Sequence, residues 1–205
     1  SGSIDFGYIP AAQYNQRSAV ESKGYNVFLW PGNSITYLAM NFYPKAPGAK
    51  FTNQKYIRQA MQQLIDQKTL SEKIWSGTAS PTCGPVPMEP DKVGTLDGCV
   101  YPFDPDAAKK LLEDHGWKIN PDGASTCENS GTGANQCGEG IEQGDALTFK
   151  LVSQSGFVST HQMFEVIISQ FGKVGIKLDM NEVPDSVGAS QACDDHNQCT
   201  WDLSF

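Results

Sequence analysis

"TFKLVSQSGFVSTHQMFEVIISQFGKVGIKLDM", residues 148–180, decides the fold. It reads as strand, polar loop, helix and strand, because apolar residues alternate or run together at both ends and recur at helical spacing between them. In open α/β sheets ligands sit at the carboxyl ends of strands. The loop from Ser153 to His161 follows such an end, so it is either a ligand site or a connection.

Upstream, residues 11–23 read as a helix that stops at Gly24. "YNVFLW" (25–30) reads as a strand broken by Pro31-Gly32-Asn33, and Ile35 to Phe42 as a second β-type run, with a hairpin or neighbouring strand expected. "PKAPGAK" (44–50) reads as a turn. "TNQKYIRQAMQQLIDQ" (52–67) is amphipathic, with Tyr56, Ile57, Ala60, Met61, Leu64 and Ile65 on one face and Thr52 or Asn53 as cap. "TLSEKIWSG" (69–77) is a shorter helix ending at Gly77. In "DPDAAKKLLEDHGW" (104–117) Asp104 caps the helix, Pro105 fits its first turn and Gly116 ends it. Residues 118–146 form a polar loop too long for a compact domain unless it is tied down. "TWDLSF" (200–205) reads as the start of another strand, so the chain is expected to be a fragment. The order of elements gives an α/β or α+β domain with a mixed sheet.

The chain has 205 residues and a formal charge of −8. That charge argues against nucleic acid or an anionic membrane surface as partner, since both need a basic face. No apolar run approaches the roughly 20 residues that span a bilayer. "SGSIDFGYIP" (1–10) has neither the basic start nor the apolar stretch of an export signal, although processing removes such a signal from exported proteins.

Six cysteines fall as close pairs: Cys83 with Cys99, Cys127 with Cys137, Cys193 with Cys199. A zinc site would use tight CxxC pairs with histidines at ligand spacing, and none is present. The cysteines lie in Gly-, Pro- and Asn-rich loops, where neighbouring partners are the cheapest to close. Local disulfides are therefore expected, and with them an oxidising, extracytoplasmic compartment.

No nucleophile elbow, phosphate-binding glycine loop, HExxH or GxGxxG motif occurs. His115 reads as a helix-end residue that meets exposed carbonyls. His196, beside Asp194 and Asp195, reads as part of a solvated, disulfide-closed loop more than as a metal ligand. His161 sits at a strand end, where a ligand role competes with a plain surface role. Trp30, Trp75, Trp117 and Trp201 read as packing residues.

Several segments, in order, resemble the extracellular solute-binding proteins of family 5, the oligopeptide-, dipeptide- and nickel-binding receptors of ABC importers. They are "GSIDFGYIP" (2–10), "TYLAMNF" (36–42), residues 51–81, "FDPDAAKKLLEDHGW" (103–117) and "QMFEVIISQFGKVGIKLDM" (162–180). The resemblance runs through Ile57, Arg58, Gln59, Ala60, Met61, Ile65 and Asp66, then Gly77, Ala79 and Pro81. It continues through Asp104, Ala107, Ala108, Lys109, Leu111, Leu112, Gly116 and Trp117, and ends on Phe171, Val174, Gly175, Ile176 and Leu178. Family members are more than twice as long, so the resemblance implies a single domain, residues 1–205, forming most of one lobe of a two-lobed receptor. The family's "gW-x-aD" segment, whose aspartate holds a peptide's amino group, is absent, and the cysteine-bearing loops depart from its pattern.

The resemblance implies a binding protein without catalysis or cofactor. Its ligand is a peptide or other small solute, its partner a membrane permease, and its location periplasmic or on the cell surface as a lipoprotein. It also places the 153–161 loop at the ligand cleft, with Gln154, Ser155, Phe157 and His161 as contacts. Nickel, haem or an oligosaccharide in place of peptide, and a disulfide-rich interaction module, are the alternatives. A hydrolase would need Ser155 or Ser159 in register with His161 and a carboxylate.

Overall fold

The computed structural model describes residues 5–29, 34–85, 96–184, 186 and 201–205. The chain divides into two units, Ser1–Ile35 with Asp66–Val100, and Thr36–Ile65 with Tyr101–Phe205.

In the first unit a 3-10 turn, Ala11–Gln16, runs into α1 (Arg17–Glu21). Gly24 ends it as expected, at φ +87°. Residues 25–29 do not form the expected strand. A strand is held by a neighbour's hydrogen bonds and cross-strand contacts, and these residues pair with no strand among those described. Phe28 is 82% exposed, so its apolar content is not used for packing. The helix α4 (Gln67–Lys73) starts two residues before the sequence pattern suggested. The cause is Asp66, whose carboxylate accepts from Thr69 N at 3.0 Å and from Thr69 Oγ1 at 2.7 Å. The predicted Cys83–Cys99 disulfide is present.

The second unit is built on a four-stranded mixed sheet in the order β1-β6-β4-β5. The predicted strand–helix–strand unit is β4 (Thr148–Gln154), α6 (Val158–Gly172) and β5 (Lys177–Val183). β4 runs parallel to both β5 and the terminal strand β6 (Leu203–Ser204). β6 in turn pairs antiparallel with β1 (Ala39–Met40), a two-residue remnant of the longer run expected at 35–42. Phe149 and Leu151 of β4, Phe164 and Phe171 of α6, and Ile176 are fully buried. Each such side chain contributes about 1.5–3 kcal/mol by leaving water.

Where a turn was expected before residue 52, a short helix α2 (Ala49–Thr52) forms. Gly48 starts it, and only glycine fits: a Cβ there would lie 2.6 Å from the Asp202 carboxyl carbon. The buried Asp202 carboxylate accepts from Gly48 N and, at 2.8 Å, from Lys150 N. Thr52 caps no helix, because its hydroxyl donates to the Asn41 carbonyl at 2.7 Å instead. The next helix, α3 (Lys55–Gln63), buries Tyr56, Ile57, Ala60 and Met61 as its periodicity predicted. α5 (Pro105–Asp114) is capped by Asp104, which accepts from Ala107 N at 2.9 Å. His115 meets a helix-end carbonyl, donating from Nδ1 to Leu111 O at 2.8 Å.

The long polar segment is tied down in two ways. A hairpin pairs β2 (Trp117–Lys118) with β3 (Thr126–Cys127), and Cys127–Cys137 forms a disulfide whose cysteines are both buried. The Cys193–Cys199 pair, Trp30, and Asp194, Asp195 and His196 lie outside the described residues.

Candidate functional site

β4 brings the candidate residues to the carboxyl edge of the sheet. Its ladder with β5 pairs Ser153 with Glu182 and Gln154 with Val183, and Ser155 N then donates to Val183 O at 2.8 Å. Gly156 turns the chain at φ +92°, a left-handed conformation that L side chains avoid. Phe157 follows as the residue before α6, half exposed, and the helix starts at Val158.

The sequence puts no Ser, Thr, Asp or Asn at the helix boundary, and the structure shows the consequence. No side chain caps α6 and its first turn holds no acidic residue. Backbone N–H groups of the first turn lack helical partners and carry the positive end of the helix dipole.

Side chains alternate across a strand, so Ser153 and Gln154 leave β4 on opposite faces. Ser153 shares its face with Glu182, and Glu182 reaches α6: its Oε2 lies 2.9 Å from His161 Nδ1. The other ring nitrogen, Nε2, faces Glu165 Oε1 at 3.6 Å, one helical turn on. His161 thus sits between two carboxylates, with 44% of its side chain exposed. Those carboxylates lie on different edges of the ring, so the three groups do not converge on one ion, and no metal-binding cluster occurs among the described residues. Neither ring nitrogen is bonded to Ser155 or Ser159, and the arrangement is not that of a serine nucleophile with its base.

The structure therefore gathers Gln154, Ser155, Phe157 and His161 at one strand end, but on two faces. It also adds three residues that the sequence reading missed in this role. Glu165 was legible as the i+4 neighbour of His161. Glu182 emerges only once the parallel register is known. Ser153 lies in the strand, 1% exposed, and its hydroxyl is the buried side-chain polar atom left without a partner among the described residues. The unit also holds a shallow groove of 440 Å³ near Gln54, Gln59, His115 and Gln136, away from β4's carboxyl end. Its amides are largely engaged with neighbouring backbone and Tyr101. The strand edge, with its unsatisfied groups, is the better candidate.

A mixed sheet with a βαβ unit, a polar strand end and an uncapped helix start together define an α/β domain of the kind that holds ligands at the carboxyl ends of its strands. Residues 1–205 match the family described as bacterial extracellular solute-binding proteins, family 5 Middle, and the chain belongs to that family. Among solved structures, the oligopeptide-binding protein AppA from Bacillus subtilis, in complex with a nonapeptide, shares the fold. The TM-score is 0.68 at 20% identity, over 99% of this chain and 36% of that one. Heme-binding protein A of Haemophilus influenzae is 26% identical over 148 residues, 71% of this chain and 22% of that protein. Glutathione-binding protein GsiB of Salmonella typhimurium is 32% identical over 113 residues, 54% of this chain and 20% of that protein. The chain thus spans about a fifth of the length of these curated relatives.

Proposed function

We propose that the chain is a ligand-binding lobe of the receptor of an ABC importer, that its solute is a peptide, and that it works by binding without catalysis. The observation that carries this reading is the open carboxyl end of β4. It combines free backbone N–H groups, a side-chain amide and hydroxyl at Gln154 and Ser155, and the exposed ring of Phe157. Such a surface suits a ligand whose own amides donate and accept and whose side chains are partly apolar. Haem would need an apolar slot, and nickel a converging set of ligands. The neighbours named above include an oligopeptide-binding protein carrying a nonapeptide. In this reading the ligand lies between two lobes, with Gln154, Ser155, Phe157 and His161 contacting it from this side. The receptor then delivers it to a membrane permease from an extracytoplasmic position, as a periplasmic protein or an anchored lipoprotein. Two-lobed closure also explains why the site is an edge and not an internal cavity.

The test uses the intact protein. Calorimetry against short peptides is expected to show binding, weakened roughly tenfold or more when Gln154 and His161 are both changed to alanine, since each lost hydrogen bond costs about 1 kcal/mol. The melting temperature of the unliganded protein stays nearly unchanged. Affinity left intact alongside a melting point lower by several degrees makes these residues structural and defeats the site.

A further inference from the structure

Resting on the peptide reading above, we infer that the Glu182–His161–Glu165 row, backed by Ser153, receives a cationic group of the ligand, an ammonium or guanidinium. The charge argument is independent of the imidazole. Two carboxylates flank His161, so the row is negative whether or not the ring carries a second proton. Among the described ion pairs, none joins Lys or Arg to Glu165 or Glu182. The lysines of this βαβ unit lie elsewhere: Lys150 and Lys177 towards the amino ends of their strands, Lys173 just past the far end of α6.

The positive end of α6 accounts for one nearby carboxylate, because its partial charge is about half a unit. It does not account for two, and neither carboxylate is used as its cap. Ser153 is the independent observation. Its hydroxyl is buried and without a partner, which is costly unless something satisfies it. Parallel pairing sets it beside Glu182, about 4.8 Å away strand to strand and on the same face. One oxygen of Glu182 is committed to His161, and the other is available. A cation seated between these paired positions would offer N–H donors to the free Glu182 oxygen and to the Ser153 hydroxyl, and such charge-assisted bonds are stronger than neutral ones.

The test is calorimetry on the intact protein with the peptides AAKAA, AAQAA and AAEAA, each with a free and an acetylated amino terminus. Binding of the neutral AAQAA decides the peptide reading; the differences between peptides decide the cation site. The expected result is AAKAA tighter than AAQAA by about tenfold, AAEAA weakest, and the gap narrowing in high salt. Glu182→Gln then brings the ratio of AAKAA to AAQAA affinity down towards one, whatever it does to overall affinity. If the cation is the peptide's own amino terminus, lysine adds nothing and acetylation weakens every peptide about tenfold, an effect that Glu182→Gln again abolishes. The three sequences binding alike, with acetylation without effect, overturns the inference while sparing the peptide reading. No binding by any of them overturns both. The wild-type series decides the matter even if the variant folds poorly.

Discussion

Two buried serines at opposite ends of the same sheet show how differently its ends are built. Ser125 lies near the amino ends of β4 and β5, fully buried, and its hydroxyl is doubly used: it donates to Val174 O at 2.8 Å and accepts from Asn120 N at 3.1 Å. Ser153 lies at the carboxyl end, equally buried, and its hydroxyl has no hydrogen-bond partner among the described residues. Around Ser125 the backbone is also stitched. Ser125 N donates to Gly175 O, Leu147 N to Ser125 O, and Lys177 N to Leu147 O. Gly175 turns there at φ +70°, where a Cβ would stand 2.2 Å from Ser125 Oγ. Near Ser153 the helix is uncapped, Phe157 is exposed and two carboxylates crowd one imidazole. The amino end satisfies its own polar groups, and the carboxyl end leaves several open, which in the proposed reading serve the ligand.

The largest effect is expected next to the disulfide-tied loop of the amino end. Tyr56 is buried against it, donating to the Cys137 carbonyl at 2.6 Å and accepting from Trp117 Nε1 at 2.7 Å, with His115 stacked on its ring. Tyr56→Phe leaves both partners unsatisfied, and each buried orphan costs about 1–3 kcal/mol, so a loss near 3 kcal/mol in urea unfolding is expected. Burial, opposed by the Trp117 bond, pushes the Tyr56 phenol up to about 12 from its usual 10. Its folded-state value is the higher one, so this contribution is complete below pH 10 and is lost as pH rises towards 12. A wild-type protein that loses no more stability than Tyr56→Phe between those pH values contradicts this account.

The middle effect sharpens the comparison directly. Ser125→Ala breaks two hydrogen bonds and is expected to cost about 2 kcal/mol. Ser153→Ala, the same truncation at the same burial, removes an unpaired hydroxyl and is expected to be neutral or slightly stabilising in the unliganded protein. Equal losses at the two positions dissolve the distinction between the ends.

The comparison also marks what could be read in advance. Local chemistry was legible: Asp104 and Pro105 at the start of α5, Gly24 and Gly116 at helix ends, and the apolar face of α3 all act within a few residues, whereas α4 stops at Lys73, short of the Gly77 expected to end it. The disulfides Cys83–Cys99 and Cys127–Cys137 were legible because close cysteines in loops close most easily. What depended on distant partners was not. Residues 25–29 have strand composition but no strand beside them, and α2 exists because Gly48 must approach Asp202, some 150 residues on. At the candidate site, polarity marked a loop over 153–161, of which only residues 155–157 lie between β4 and α6. The neighbourhood of Ser153 and Glu182 could not, since a parallel register is a long-range property and a shift of one residue would put them on opposite faces.

The central claim, that the carboxyl end of β4 receives the solute, is tested most directly by hydrogen exchange on the intact protein with and without saturating peptide. The account predicts slowed exchange at backbone amides 156–160, which lack hydrogen-bond partners among the described residues at the start of α6, and little change in the disulfide-tied segment 126–146. Protection confined to 126–146 or to the groove near Gln54 and Gln136, with 156–160 exchanging as before, would contradict it.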